Sequence, residues 1–262
     1  MNWGKDVAVV IPLWRRTKNI DRVTCSLLDT VPLAHICFVV SSGDEWITPW
    51  TTLPGDTIVV DGVGGEPGDY ARKINAGYRA TEEPFIFTGA DDLVFHDGWY
   101  DAARALIVCP YGDETCPCQD GDLCHYEGDD PMPPPRPPEP RIGVVGTVDR
   151  CNGRTMAGEH STHSLVARWY ADCCAVGDQP GAIYCEQYAH EYCDDELVQT
   201  ALFRGAYAHA HDAIVEHVHM LVHPELDDEV YQHGRSRTRL SRRTFLQRQR
   251  LWGKGGAWPY QR

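Results

Sequence analysis

No stretch of eighteen apolar residues occurs in this 262-residue chain, so no membrane-spanning helix is expected. Two phosphate-binding signatures are also missing. There is no G-x-x-x-x-G-K-[ST], and the glycines of Gly62-Val-Gly-Gly-Glu-Pro-Gly68 do not fit G-x-G-x-x-G. A P-loop or a dinucleotide-binding turn therefore has no local support, and these glycines read as a flexible loop. The opening Met-Asn-Trp-Gly-Lys-Asp leads straight into an apolar run and does not resemble a secretory signal, so a cytoplasmic location is expected. Positive charge is scarce: 24 Lys and Arg stand against 38 Asp and Glu, a net charge of −14. That balance argues against a surface that coats nucleic acid generally.

What the chain does have is enough for a core, with 42% hydrophobic residues and 10% aromatics. Its length fits one large domain, or a domain with an appendage. Eleven cysteines is a high count. Without a secretory signal they are expected to be reduced thiols, buried small hydrophobes or metal ligands.

Residues 6–13 form a continuous apolar run, as a strand buried on both faces would. A helix is expected over 18–29, strands over 35–41 and 57–61, and a helix over about 69–80 that Asp69 can cap. Pro84-Phe-Ile-Phe-Thr88 reads as a further buried strand. It breaks at Gly89-Ala90 and is followed at once by Asp91 and Asp92. This strand–helix alternation predicts a parallel sheet with right-handed crossovers. Carboxylates just past a strand's carboxyl end lie where open α/β sheets bind ligands, and hard oxygen donors suit Mg²⁺ or Mn²⁺. A solvated Asp-Gly turn is the competing reading.

Residues 109–140 interrupt the pattern. Cys109, Cys116, Cys118, Cys124 and His125 precede a proline-rich linker at 131–140. Those four cysteines offer a structural Zn²⁺ site, although C-x-C-x₅-C-H is not a strong zinc spacing and a loop with incidental thiols fits equally. The sheet is expected to resume at 141–146. A helical stretch is expected over 164–170, a helix opening at Asp194-Asp195-Glu196, and extended chain through 205–210 and 214–219. His217 and His219 alternate there, so they share one side of the strand, as metal ligands or as a solvent-facing edge. Seven arginines and no acid lie between Arg235 and Arg250. They predict a C-terminal helix with a basic outer side, a pattern that is most often a solvated face. The organisation read from the chain is thus 1–108, a Cys- and Pro-rich insertion at 109–140, 141–224, and a basic helical tail at 225–262.

These pieces, taken in order, match a family. Val-Ala-Val-Val-Ile-Pro-Leu-Trp-Arg-Arg at 7–16 resembles the first strand of GT-A glycosyltransferases of the family 2 type. Lys73-Ile-Asn75-Ala-Gly77 resembles their helix beneath the donor diphosphate. Thr88-Gly-Ala-Asp91-Asp92 falls where their D-x-D motif falls, with Gly89 in place of its first acid. Asp194-Asp195-Glu196-Leu197 resembles their acceptor-side acidic motif, and Val-Glu-His217-Val-His219 their late metal-binding histidine. The likeness covers about 6–106 and 141–220 and has the flavour of phage-encoded members.

The resemblance implies an α/β GT-A fold, a Rossmann-like mixed sheet flanked by helices. It implies transfer of a sugar, hexosyl or pentosyl, from a nucleotide-diphosphate sugar to a hydroxyl acceptor, with inversion and with Mn²⁺ or Mg²⁺. Asp91, His219 and His217 are then the expected metal ligands. Pro12, Arg15, Arg16, Asp44, Asp61, Lys73, Asn75, Ala90 and Asp92 are the expected donor contacts. Asp195 is the expected base with Asp194 beside it, although an acidic helix N-terminus also explains that pair through the helix dipole. The acceptor is open between protein, glycan and modified DNA base. A nucleotidyltransferase, or a nucleic-acid-binding protein using Arg235–Arg250, are the competing readings; a phage-encoded enzyme would act in the host cytoplasm.

Overall fold

The computed structural model describes residues 4–44, 53–107, 142–176, 178–220 and 222–252. The cysteines proposed for zinc, and the rest of the insertion, lie outside the described residues. Strand β1 (Val7–Pro12) is followed by helix α1 (Ile20–Thr30), β2 (His35–Ser41), β3 (Asp56–Val60), α2 (Asp69–Ala80), β4 (Phe85–Thr88), β5 (Leu93–Phe95) and α3 (Trp99–Ile107). After the insertion come β6 (Val144–Val148), the single turn α4 (Gly153–Met156), β7 (Ser164–Ala167), α5 (Arg168–Cys174), α6 (Cys193–Phe203), β8 (Tyr207–His217) and α7 (Glu229–Arg248). The expected mixed sheet flanked by helices is present. No helix among the described residues is long and apolar enough to cross a membrane.

The eight strands run in the order β3-β2-β1-β4-β7-β6-β8-β5. The first four are parallel; β7 is antiparallel to β4 and β6, β8 is parallel to β6, and β5 is antiparallel to β8. These directions bring the carboxyl ends of β1, β4, β6 and β8 to one rim, together with the amino ends of β7 and β5. Residues far apart in sequence therefore meet there.

The core follows from composition. β1 is wholly apolar and its first five residues are fully buried, as a central parallel strand must be. Trp99 packs edge-on against Phe87 at 4.8 Å and beside Phe95 at 5.0 Å, which makes it a core residue rather than a sugar platform. Helix α2 lies close on β1 because Gly77 has no side chain; a Cβ there would meet Val10 Cγ1 at 2.3 Å.

The stretch 164–170 corrects a helical expectation. Its first four residues form β7, inserted between β4 and β6, and the helix begins only at Arg168. Ser-Leu-Val-Ala is buried on both faces, so its short apolar run carries no periodicity to separate strand from helix. The two extended pieces expected at 205–219 are one bulged strand, whose first half pairs with β6 and whose end pairs with β5.

Candidate active site

A cleft of about 760 Å³ opens at this rim. Pro12, Arg16, Lys73, Ala90, Asp91, Asp92, His217 and His219 line it, as do Asp194 and Asp195 on its other side. The structure adds Asp149, His160, His163 and, from α7, Tyr231, His233 and Arg235.

Asp92 is the most tightly held carboxylate. Arg16 Nη1 donates to its Oδ2 at 2.8 Å and the Tyr231 hydroxyl donates to the same oxygen at 2.7 Å. His217 Nε2 lies 3.0 Å from Oδ1, off hydrogen-bond geometry. Burial alone would raise Asp92, but His217 and then Arg16 and Tyr231 outweigh it and hold the carboxyl far below the usual range. The same contact raises His217 above an ordinary imidazole against the pull of burial, chiefly through the charge of Asp92.

Asp91 is served far less well. Asn19 donates to it at 3.3 Å, and the nearest guanidinium nitrogen of Arg16 is 3.8 Å away. Burial first, and the neighbouring Asp92 second, push its carboxyl up to about 7. His163 donates from Nδ1 to the Thr88 carbonyl at 2.7 Å, while its buried Nε2 has no hydrogen-bond partner. Burial and the charge of His217 lower both His163 and His219 to about 4, so both are neutral at pH 7.

A divalent cation at Asp91 would draw on Asp91 and His219, although among the described residues no set of three His, Cys, Asp or Glu donors within 4.8 Å of one another includes either. A buried carboxylate with weak compensation and a neutral imidazole on the same rim give the oxygen and nitrogen donors that Mn²⁺ accepts.

Arg16 organises the entrance. Its Nη2 and Nε donate to Asp228 at 2.8 and 2.9 Å, and its guanidinium lies 3.8 Å over the Tyr231 ring. Burial would lower Arg16, but Asp228, Asp91 and Asp92 hold it charged. Asp228 also caps α7, accepting from the backbone of Val230 and Tyr231. Helix α7 is thereby fixed across the cleft mouth, where His233 contacts the Gly65 carbonyl at 2.7 Å and Arg237 donates to the same oxygen.

On the facing wall, His160 is 3% exposed and sits between two carboxylates. Its Nε2 is 3.3 Å from Asp194 and its Nδ1 is 3.6 Å from Asp195. Among the described residues this trio is the set of histidine and acidic donors lying within 4.8 Å of one another. The two carboxylates raise the His160 imidazole above its ordinary value against the pull of burial. Burial favours protonation of Asp194, but His160 outweighs it and keeps the carboxyl low; burial and Asp194 together raise Asp195. Arg154 holds Asp195 from outside at 3.1 Å.

The remaining sequence candidates sit elsewhere. Lys73 is fully buried and already bound, donating to the Leu13 carbonyl at 2.7 Å and pairing with Asp69 at 2.9 Å. Asp44 accepts from Gly64 N at 2.9 Å and braces that loop without lining the cleft. Asn75, expected at the donor, instead spends both ends of its amide on Ile183, Tyr184 and Glu186, so it anchors a loop. Arg15 turns outward to Glu229 at 2.6 Å, and Asp61 is exposed; neither lines the cleft. His160 and His163 were visible in Glu159-His-Ser-Thr-His163, but nothing local marks them as site residues. Asp149 and Tyr231 carry no sequence signal at all, because only the sheet order and α7 bring them in.

No family model matches the chain, and no curated protein sequence matches it. Solved structures do show similarity. A mannosyltransferase from Pyrobaculum calidifontis, in complex with GDP-Man and Mn²⁺, aligns over 82% of this chain and 58% of its own, at 11% identity and a TM-score of 0.49. Glucosyl-3-phosphoglycerate synthase from Mycobacterium tuberculosis, in complex with Mn²⁺, UDP and phosphoglyceric acid, aligns over 79% of this chain and 68% of its own, at 17% identity and 0.43. TarS from S. aureus aligns over 93% of this chain and 43% of its own, at 14% identity and 0.49. The chain thus spans little more than half of the mannosyltransferase and less than half of TarS. At TM-scores below 0.5 these superpositions are loose, and the functional reading rests on the cleft.

Proposed function

We propose that this protein transfers a sugar from a nucleotide-diphosphate sugar to a hydroxyl acceptor, with a divalent cation held at Asp91 and with inversion at the anomeric carbon. The observation that carries the reading is the cleft itself. It places an under-compensated buried carboxylate, Asp91, and a fixed guanidinium, Arg16, on one wall, and a histidine-braced pair of carboxylates on the other.

A bound Mn²⁺ or Mg²⁺ would neutralise the charge that develops on the departing diphosphate. Arg16 stands ready to add positive charge on the same side, where a phosphate oxygen can compete with Asp228 for its fork. Asp195 takes the proton of the acceptor hydroxyl as that oxygen bonds to the anomeric carbon and the bond to the diphosphate breaks. His160 keeps Asp194 ionised beside it, so the second carboxylate does not compete for that proton. Helix α7 shields the reacting centre from water across the mouth.

A thermal-shift panel of nucleotide sugars with and without Mn²⁺ tests this. One donor stabilises the protein in a Mn²⁺-dependent way, and a ligand at one hundred times its Kd contributes about 2.7 kcal/mol. A panel in which no nucleotide sugar shifts the transition, with or without the metal, refutes the reading.

A further inference from the structure

Helix α7 has two faces of opposite character. Its inner face is consumed by the protein: His233 and Arg237 reach the Gly65 carbonyl, Ser241 accepts from His190 N at 3.1 Å, and Arg248 is buried against Glu196 at 2.8 Å and Asp178 at 2.5 Å. The outer face carries Arg239, Arg242 and Arg243, and Arg250 extends it in the turn that follows. All four are exposed, and none makes a salt bridge among the described residues. Spacings of three, four and seven residues hold them in one stripe. Arg235, one turn earlier, is already held by Asp227 at 2.9 Å, so the open stripe runs from Arg239 to Arg250, about 16 Å.

Three features separate it from an ordinary solvated face. No acid occurs from Val230 to Trp252, in a chain with an excess of fourteen acids. Every cation is arginine, whose planar fork binds phosphate oxygens bidentately and loses less hydration than lysine. The stripe also lies one helical turn beyond the cleft, which Gly234 and Arg235 line.

We infer that the outer face of α7 is a docking strip for nucleic acid, which lays its phosphodiester backbone on Arg239, Arg242, Arg243 and Arg250 and brings the acceptor hydroxyl to the cleft mouth. Only the word acceptor rests on the transferase reading; the docking itself does not.

Fluorescence anisotropy with a labelled DNA duplex, titrated at 50 to 200 mM salt, decides it. Four phosphate contacts predict a log–log salt slope of about −3.6, a loss of roughly a hundredfold across that range. Replacing Arg239, Arg242 and Arg243 together with Gln lowers the slope to about −0.9, because three contacts are gone. These side chains are exposed and Gln keeps helix propensity, so the variant folds; its nucleotide-sugar thermal shift stays at the wild-type value. Equal binding by the variant and the wild type overturns the inference. So does a phosphodiester polymer without bases, such as a polyol phosphate, that binds at least as tightly as the duplex. Failure of the wild type to bind the duplex, with an intact donor shift, sinks the docking strip alone. Absence of any donor shift sinks the transferase and leaves the strip to the anisotropy result.

Discussion

Replacing Asp91 with Asn separates stability from metal binding in a way few substitutions can. Burial and Asp92 raise the Asp91 carboxyl from the ordinary 3.8 to about 7. Between those values the folded protein holds a proton that the unfolded chain has released, so metal-free stability falls as pH rises through that window. The difference of about three in pKa, at 1.36 kcal/mol each, sets an upper bound of roughly 4 kcal/mol by pH 8. Asn keeps the shape, can still pair with Asn19, and carries no charge to bury. D91N is therefore neutral only below about pH 3.8, where Asp91 is protonated in folded and unfolded chain alike; it is stabilising by about 1–2 kcal/mol at pH 5 and by about 2–4 kcal/mol at pH 8, the latter roughly 5–15 °C in Tm. Mn²⁺ reverses the order at pH 8, because it stabilises the wild type and not the variant. The assay is thermal unfolding of both proteins at pH 5 and 8, in chelator and in Mn²⁺. A variant that is less stable than wild type in chelator at pH 8, or that keeps the full Mn²⁺ shift, refutes the placement of an ill-compensated metal-binding carboxylate at the end of β4.

Three further outcomes follow from the same geometry. Arg248→Met leaves the fully buried Glu196 without its cation and costs about 3–5 kcal/mol in urea unfolding; a loss under 1 kcal/mol shows that the pair is not buried in solution. Asp228→Ala removes the α7 cap and the main partner of Arg16, at a cost of about 1–2 kcal/mol for the cap. It also speeds amide exchange at the start of α7, and unchanged exchange there contradicts the role of Asp228 in holding that helix across the cleft. Asp195→Asn keeps the nucleotide-sugar thermal shift while transfer, followed by release of nucleoside diphosphate, falls at least a hundredfold; near wild-type turnover removes Asp195 from the role of base.

The first half of the sheet was legible because each of its signals is local. β1 and β2 are continuous apolar runs, α2 shows Ile74, Gly77 and Tyr78 on a buried face, and Asp91 follows a strand that breaks at glycine. The second half carries weaker local signals. β7 is four residues long and owes its conformation to pairing with β4 and β6, so tertiary contact overrides a stretch whose own pattern is ambiguous. The site divided in the same way. Asp91, Asp92, Asp194 and Asp195 announce themselves as adjacent acids at element ends, whereas Asp149 and His163 reach the rim only through strand order. Arg248 shows the limit of reading charge: it belongs to a run that looks solvent-facing, yet it is 4% exposed because Glu196 and Asp178 are folded beneath it. Asn75 shows the converse, since a short motif placed it at a donor while its amide geometry commits it to the loop at 183–186.

The central claim is that a divalent cation at Asp91 receives the diphosphate of an activated sugar. Anomalous diffraction from crystals soaked with Mn²⁺ and a nucleoside diphosphate tests it most directly. The account predicts a manganese peak bound by the Asp91 carboxylate, with the diphosphate on the Arg16 side of the cleft. A peak confined to His160, Asp194 and Asp195, with Asp91 unliganded, contradicts it.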